Sequence, residues 1–222
     1  LRPQQHRPSL LPCLVKQTGE WLKEGSQLAK AGNHEEAVAY FDRIIDAYGK
    51  QYDDKGTRYY SAHWQIESLM YLVSSANAHV KAVVAPGTWA YAWYLKSYAL
   101  TGLGRQADAK AAIQRAVDLS PRNAQFLEEW GTLLELEKNW PQAMKTFQDA
   151  KDDARQFSPP DVKNAELGRA WRGQAYVDVE LNRLDEAEAL YQQCLQLDPH
   201  DARAAAELQG LRRQRAATGS SQ

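Results

Sequence analysis

The chain has 222 residues, 44% of them apolar and 25% charged, which is the balance of a globular protein that stays in water. Its formal net charge of −1 excludes a general binder of nucleic acid or of an anionic membrane surface, either of which needs a basic surplus. No run approaches the roughly 18 to 20 apolar residues needed to span a bilayer, and Cys13 and Cys194 lack the C-x-x-C or His/Cys spacing of zinc and redox motifs.

Residues 1–17 carry three prolines and little periodicity, so they read as an irregular arm, either frayed or laying Leu10, Leu11, Leu14 and Val15 over the exposed edge of the first helix pair. The chain opens on Leu1 rather than a methionine, from which an exported, periplasmic protein of bacterial type is expected. Residues 18–50 read as two helices that touch through Trp21, Gly25, Leu28, Ala37, Phe41 and Ile44, with Gly32-Asn33 as the turn.

Residues 51–87 read as a loop followed by a worn helix pair, with Tyr60, Trp64, Leu69, Leu72, Val80, Val83 and Val84 as candidate core and a turn near 74–77. Apolar side chains surround most of its first helix, a pattern expected of a helix buried on more than one side. Pro86-Gly87 ends this stretch. Two further pairs come next, at 90–123 and 124–157. Residues 158–167 are an insert at whose start Phe157-Ser158-Pro159-Pro160-Asp161 breaks one helix and lengthens the next. A last pair covers 168–201. Residues 202–216 then read as a capping helix with the stripe Ala204, Ala205, Leu208 and Leu211, and 217–222 as a flexible tail.

The landmarks recur on shared offsets. Ala109 returns as Ala143, 34 residues on, then as Ala187, 44 further, and appears earlier as Ala37, 72 before. Phe41, Ile113, Phe147 and Tyr191 take the same steps, as do Gly25, Ser97, Gly131 and Ala175, and Trp21, Trp93 and Trp171 mark three of the starts. In residues 93–121, WYLKSYALTGLGRQADAKAAIQRAVDLSP, a Trp, small residues, a Gly102/Gly104 turn, an Ala, a branched apolar residue and a closing Pro121 stand in order. This pattern resembles the tetratricopeptide repeat (TPR), whose 34-residue unit is a helix–turn–helix. The resemblance implies an all-α, TPR-like α-solenoid of antiparallel helix pairs with a C-terminal capping helix.

No catalytic constellation emerges from the residues. The five histidines show no H-E-x-x-H or paired metal spacing, Gly102-Leu103-Gly104 follows a helix rather than a strand, and no serine lies in G-x-S-x-G. Asp53-Asp54 and Asp152-Asp153 lack calcium-loop spacing, and Arg212-Arg213-Gln214-Arg215 suits the end of a helix. No cofactor and no metal are expected.

In the TPR family the first helices line a concave groove that holds a protein or peptide segment. Carried onto this chain, the groove-facing residues are Leu22 and Ser26, then Tyr91, Tyr94 and Tyr98, then Gln125, Glu128, Thr132 and Glu135, and finally Arg169, Arg172 and Tyr176. Tyrosines and glutamates in place of Lys and Asn disfavour the family's carboxylate clamp. The implied activity is that of a non-enzymatic scaffold: an adaptor, an assembly factor or an immunity-type inhibitor of a partner. The alternative is a homodimer formed through the worn apolar stretch or through an end of the array.

Overall fold

The computed structural model describes residues 11–219, which divide at Ser120 into two compact units. The first unit runs α1 (Leu11–Lys30), α2 (His34–Gln51), β1 (Arg58–Ala62), α3 (Gln65–Asn77), β2 (Ala82–Pro86), α4 (Thr88–Gly102) and α5 (Gln106–Leu119). The second is helical throughout: α6 (Ala124–Leu136), α7 (Trp140–Phe157), α8 (Pro160–Glu180), α9 (Leu184–Leu197) and α10 (Ala202–Gly219). The chain is thus an all-α array of helix pairs with one small interruption.

Each pair turns in the same way. After α1, α4, α6 and α8 a single residue takes a left-handed φ, namely Gly32 (84°), Gly104 (73°), Lys138 (56°) and Asn182 (60°). The next N–H then returns to the carbonyl five residues back, as Asn33 to Leu28 at 2.9 Å and Arg183 to Asp178 at 2.8 Å. This is the Schellman closure, which satisfies carbonyls a helix end otherwise strands. Gly104 therefore makes the α4–α5 turn, while Gly102 serves close approach, because a Cβ there would meet Nε2 of His34 at 2.5 Å.

The recurring landmarks form the core. Ala37, Ala109, Ala143 and Ala187 are fully buried, and Phe41, Ile113, Phe147 and Tyr191 beside them are at most 2% exposed. Small residues on the facing helix make room for the large ones: a Cβ added at Gly25 would meet the Phe41 ring at 2.8 Å, and Ser97 tucks its hydroxyl against the Ala109 carbonyl at 2.8 Å. This is ridge-into-groove packing at close approach.

Three expectations are corrected. Residues 11–17 are not an irregular arm but the first two turns of α1, since Pro12 falls where a helix has no N–H to lose; residues 1–10, with Leu10, lie outside the described residues. Residues 58–86 are not a worn helix pair. They form β1–α3–β2, with the two strands parallel and Tyr60 opposite Val84, and no turn interrupts α3 at 74–77. Tyr59, Tyr60, Val83 and Val84 favour pleated backbone, which explains the strands, and a crossover helix is what two parallel strands require. The α3 helix is also not buried all round: Tyr71 is covered, whereas Leu69 and Leu72 are exposed, as are Val80 before β2 and Val83 within it.

The β1–α3–β2 insert is tied to its own unit. Ser61 Oγ accepts the Ala90 N–H at 3.1 Å, the Ser61 carbonyl accepts the Ser120 hydroxyl, and the Trp89 ring stacks on Tyr48 and Tyr52. At the other end of the chain α10 buries Ala204, Leu208 and Leu211 against Ala187, Tyr191 and Cys194, while Ala205 stays exposed. Arg212 and Arg215 pair with Glu188 on α9 at 2.9 and 3.1 Å, so the basic cluster fastens this helix as well as facing solvent. The helix continues to Gly219, past the expected start of the tail at 217.

Candidate functional site

The second unit encloses a cavity of about 560 Å³ between α6, α8 and α10. Glu128, Thr132 and Glu135 enter it from α6 and Arg169, Arg172 and Tyr176 from α8, spacings of three and four that put each set on one helical face. The α10 helix contributes Arg203 and Glu207, and Phe147, Gly173 and Tyr191 form part of the wall.

The cavity has two chemically distinct ends. At one, Arg169 holds Glu128 at 3.1 Å and Arg172 pairs with Asp201. Asp201 also accepts the N–H groups of Arg203 and Ala204 at 3.1 and 3.0 Å, so one carboxylate caps α10 and anchors an arginine from α8. Glu128 is 1% exposed, and burial raises its carboxyl well above the usual range against the pull of Arg169 and Arg172. Its Oε1 accepts no hydrogen bond from the described residues.

At the other end stand Glu135, Tyr176, Tyr191 and Glu207. Burial pushes the Glu135 carboxyl up to about 8, and its buried Oε1 also accepts no hydrogen bond from the described residues. Tyr176 is 42% exposed and meets Trp140 edge-on at 6.3 Å, whereas Tyr191 is core, its hydroxyl raised by burial and by the acids around it. Thr132 bonds back to the Glu128 carbonyl at 3.0 Å, which leaves its methyl for the cavity. A neighbouring cavity of about 630 Å³ shares Arg169, Arg172 and Arg203 and is bordered by Asp161, Asp198 and His200.

Six of the groove residues expected from the sequence are therefore brought together: Glu128, Thr132, Glu135, Arg169, Arg172 and Tyr176. The tyrosines of α4 belong to the first unit and are occupied differently. Tyr91 stacks on His63 of the insert at 5.8 Å and leans on Tyr94 at 5.4 Å, Tyr94 is 9% exposed, and Tyr98 is 49% exposed with its edge to His34 at 6.2 Å. Leu22 and Ser26 lie half-buried on α1, with the Ser26 hydroxyl on the Leu22 carbonyl at 2.6 Å. His34, half-buried at the start of α2, has its Nδ1 buried and without a hydrogen bond from the described residues.

The sequence reading misses the contribution of α10. Arg203 and Glu207 are four residues apart, the spacing of one helical face, but a capping assignment gives that helix only a covering role. Cys194 is 1% exposed, its Sγ lies 3.6 Å from the Gly168 carbonyl, and burial pushes the thiol up to about 11, as a structural cysteine requires. Among the described residues no group of three or more His, Cys, Asp or Glu could hold a metal, and no helix is long and apolar enough to cross a membrane.

Comparison with known proteins bears on the family. Models of the tetratricopeptide repeat match residues 21–50, 90–123 and 168–201. No curated protein matches the sequence. Among solved structures, one reported with the functional characterization of PilF from Pseudomonas aeruginosa is 14% identical, with a TM-score of 0.64 over 91% of this chain and 71% of that one. The MamA RS-1 double mutant is 13% identical with a TM-score of 0.56 over 89% and 84%, and another MamA crystal structure is 14% identical with 0.53 over 87% and 85%. Such likenesses are likenesses of fold. Together with the three repeat matches and the buried Ala, aromatic and small landmarks that give each pair its packing, they identify the chain as a member of the tetratricopeptide repeat family.

Proposed function

We propose that the protein is a non-enzymatic scaffold that binds a segment of a partner protein in the α6–α8–α10 cavity, as an adaptor, assembly factor or inhibitor of that partner. The observation that carries this reading is the cavity itself: it is open, lined chiefly from α6, α8 and α10, and holds carboxyl oxygens of Glu128 and Glu135 that accept no hydrogen bond within the described residues. A protein segment offers the N–H donors and apolar stems that such a lining lacks. Thr132→Trp tests it by filling the cavity from an exposed position. With a photo-crosslinking residue at Tyr176, the full chain should yield a discrete crosslinked partner, and Thr132→Trp should reduce that yield at least about tenfold with its circular dichroism unchanged. An undiminished yield would refute the reading.

A second reading, self-association, draws on α3. Ile66, Leu69, Leu72 and Val73 are 44 to 57% exposed, and the one charged residue of that helix, Glu67, is buried with its carboxylate on the His63 N–H at 3.0 Å. A face with no exposed charge meets its own copy without repulsion. Light scattering should then show a dimer at tens of micromolar that Leu69→Glu converts to monomer; a monomeric parent chain would exclude it.

A further inference from the structure

We infer that the acidic end of the cavity seats a lysine or arginine side chain of the bound segment, between the carboxyls of Glu135 and Glu207 and with its aliphatic stem against Tyr176. This rests on the reading of the cavity as a seat for a protein segment, and adds the chemistry of the residue that enters it.

The distribution of charge supports this seat. Two of the cavity's arginines are engaged at the opposite end, Arg169 by Glu128 and Arg172 by Asp201. Glu135 has no such counter-charge: it forms no ion pair within the described residues, and its buried Oε1 accepts no hydrogen bond. Glu128, 1% exposed in the same cavity, likewise has an Oε1 without a donor. A buried carboxyl oxygen that lacks a partner calls for a donor, and an ammonium or guanidinium brings both the donors and the charge. A carboxylate or phosphate would meet Glu207 with like charge and bring no donor to the Glu135 oxygen.

The walls fit a long cationic side chain. Tyr176 offers a half-exposed ring over which a cation and its methylenes can lie. Glu128 and Glu135 are two helical turns apart on α6, about 10 Å along the axis. An extended segment covers that distance in about three residues, so one short stretch can place a backbone N–H at Glu128 and a basic side chain at Glu135.

A cation would also restore the charge of Glu135. Burial holds its carboxyl at about 8; Tyr176 on α8 and Tyr191 on α9 feel its charge, and Glu207 on α10 lines the same cavity. Of the arginines that line the cavity, Arg169 is held by Glu128 and Arg172 by Asp201, while Arg203 stands one turn before Glu207 on α10. Seating a cation therefore releases a proton, and binding tightens as pH rises from about 6 to about 9, a range in which lysine and arginine keep their charge.

The test is an NMR titration of the isotopically labelled full chain with two short alanine–serine peptides that differ only in a central lysine or a central glutamate. The lysine peptide should shift amides near Glu135, Tyr176 and Glu207 and bind about three- to tenfold more weakly to Glu135→Gln and to Glu207→Gln. Glu135→Gln keeps the side-chain shape and Glu207 is exposed, so both variants fold. Equal shifts by the two peptides at these amides would overturn the basic-residue inference while leaving the segment-binding reading intact. No shift at these amides by either peptide, with Thr132→Trp also failing to reduce the crosslinked partner, would overturn both.

Discussion

Phe147→Ala lowers the unfolding free energy by about 3 to 5 kcal/mol, the range for deleting a buried aromatic ring. Phe147 is 2% exposed and is flanked by two glycines from different helices: a Cβ on Gly131 of α6 would meet the ring at 2.7 Å, and one on Gly173 of α8 at 2.4 Å. Both added Cβ atoms would meet the same Cε1–Cζ edge of the ring, so that edge occupies the space the two glycines leave on α6 and α8. Gly173→Ala sets two effects against each other. Alanine in a helix interior gains about 1 kcal/mol over glycine, whereas forcing a methyl into a filled site costs about 1 to 3 kcal/mol. At 2.4 Å the clash wins, and Gly173→Ala is destabilising. Urea titration of Gly173→Ala, Phe147→Leu and the double variant checks this: the pair should be less destabilised than the sum of its parts. Strict additivity would show that the ring and the glycine do not meet.

Thermal stability measured between pH 5 and pH 9 should fall toward the alkaline side. Glu135 has a folded-state value of about 8 against an ordinary one near 4.5, so between those values the folded protein binds more protons than the unfolded chain, and stability declines as pH rises. Asp153, raised to about 6 from 3.8 by burial in spite of Arg122 at 2.8 Å, adds a slope of the same sign at lower pH, and Glu128 acts in the same direction. His63 opposes them: burial lowers its value below 6.5, so its contribution is lost as pH falls through the folded value. The Glu135 component is isolated by Glu135→Gln, which should flatten the slope above about pH 6 and exceed the parent in melting temperature near pH 9. Superimposable pH profiles for the two proteins would exclude a strongly buried carboxyl at this position.

How much of the fold and of the cavity is legible in the sequence depends on whether neighbours are local. The alanine, aromatic and small landmarks are legible because each repeat reads out the same contact, and the family resemblance carries the α6 and α8 cavity residues with it. The interval of 72 between Ala37 and Ala109 misleads, since it equals two periods and four residues and so suggests a copy where the chain instead makes β1–α3–β2. The apolar run Leu69–Val73 strengthens that error, because apolarity alone does not distinguish a buried helix from one with an exposed apolar face. The tyrosines of α4 fail for a related reason. The ring partner of Tyr91, His63, lies between β1 and α3, that of Tyr98, His34, opens α2, and no spacing along α4 could announce either. The part played by Arg203 and Glu207 needs the docking of α10, which only the fold supplies.

The parallel strands have a kinetic consequence for the first unit. Most of the packing in the second unit joins consecutive helices, contacts that close over short lengths of chain. In the first unit α2 must instead find α4 across the whole excursion, and β1 can pair with β2 only after α3 has carried the chain back. Loop closure over that span costs entropy before any strand bond repays it, so the second unit is expected to assemble faster than the first, with the closing of Tyr48 on Trp89 a late event.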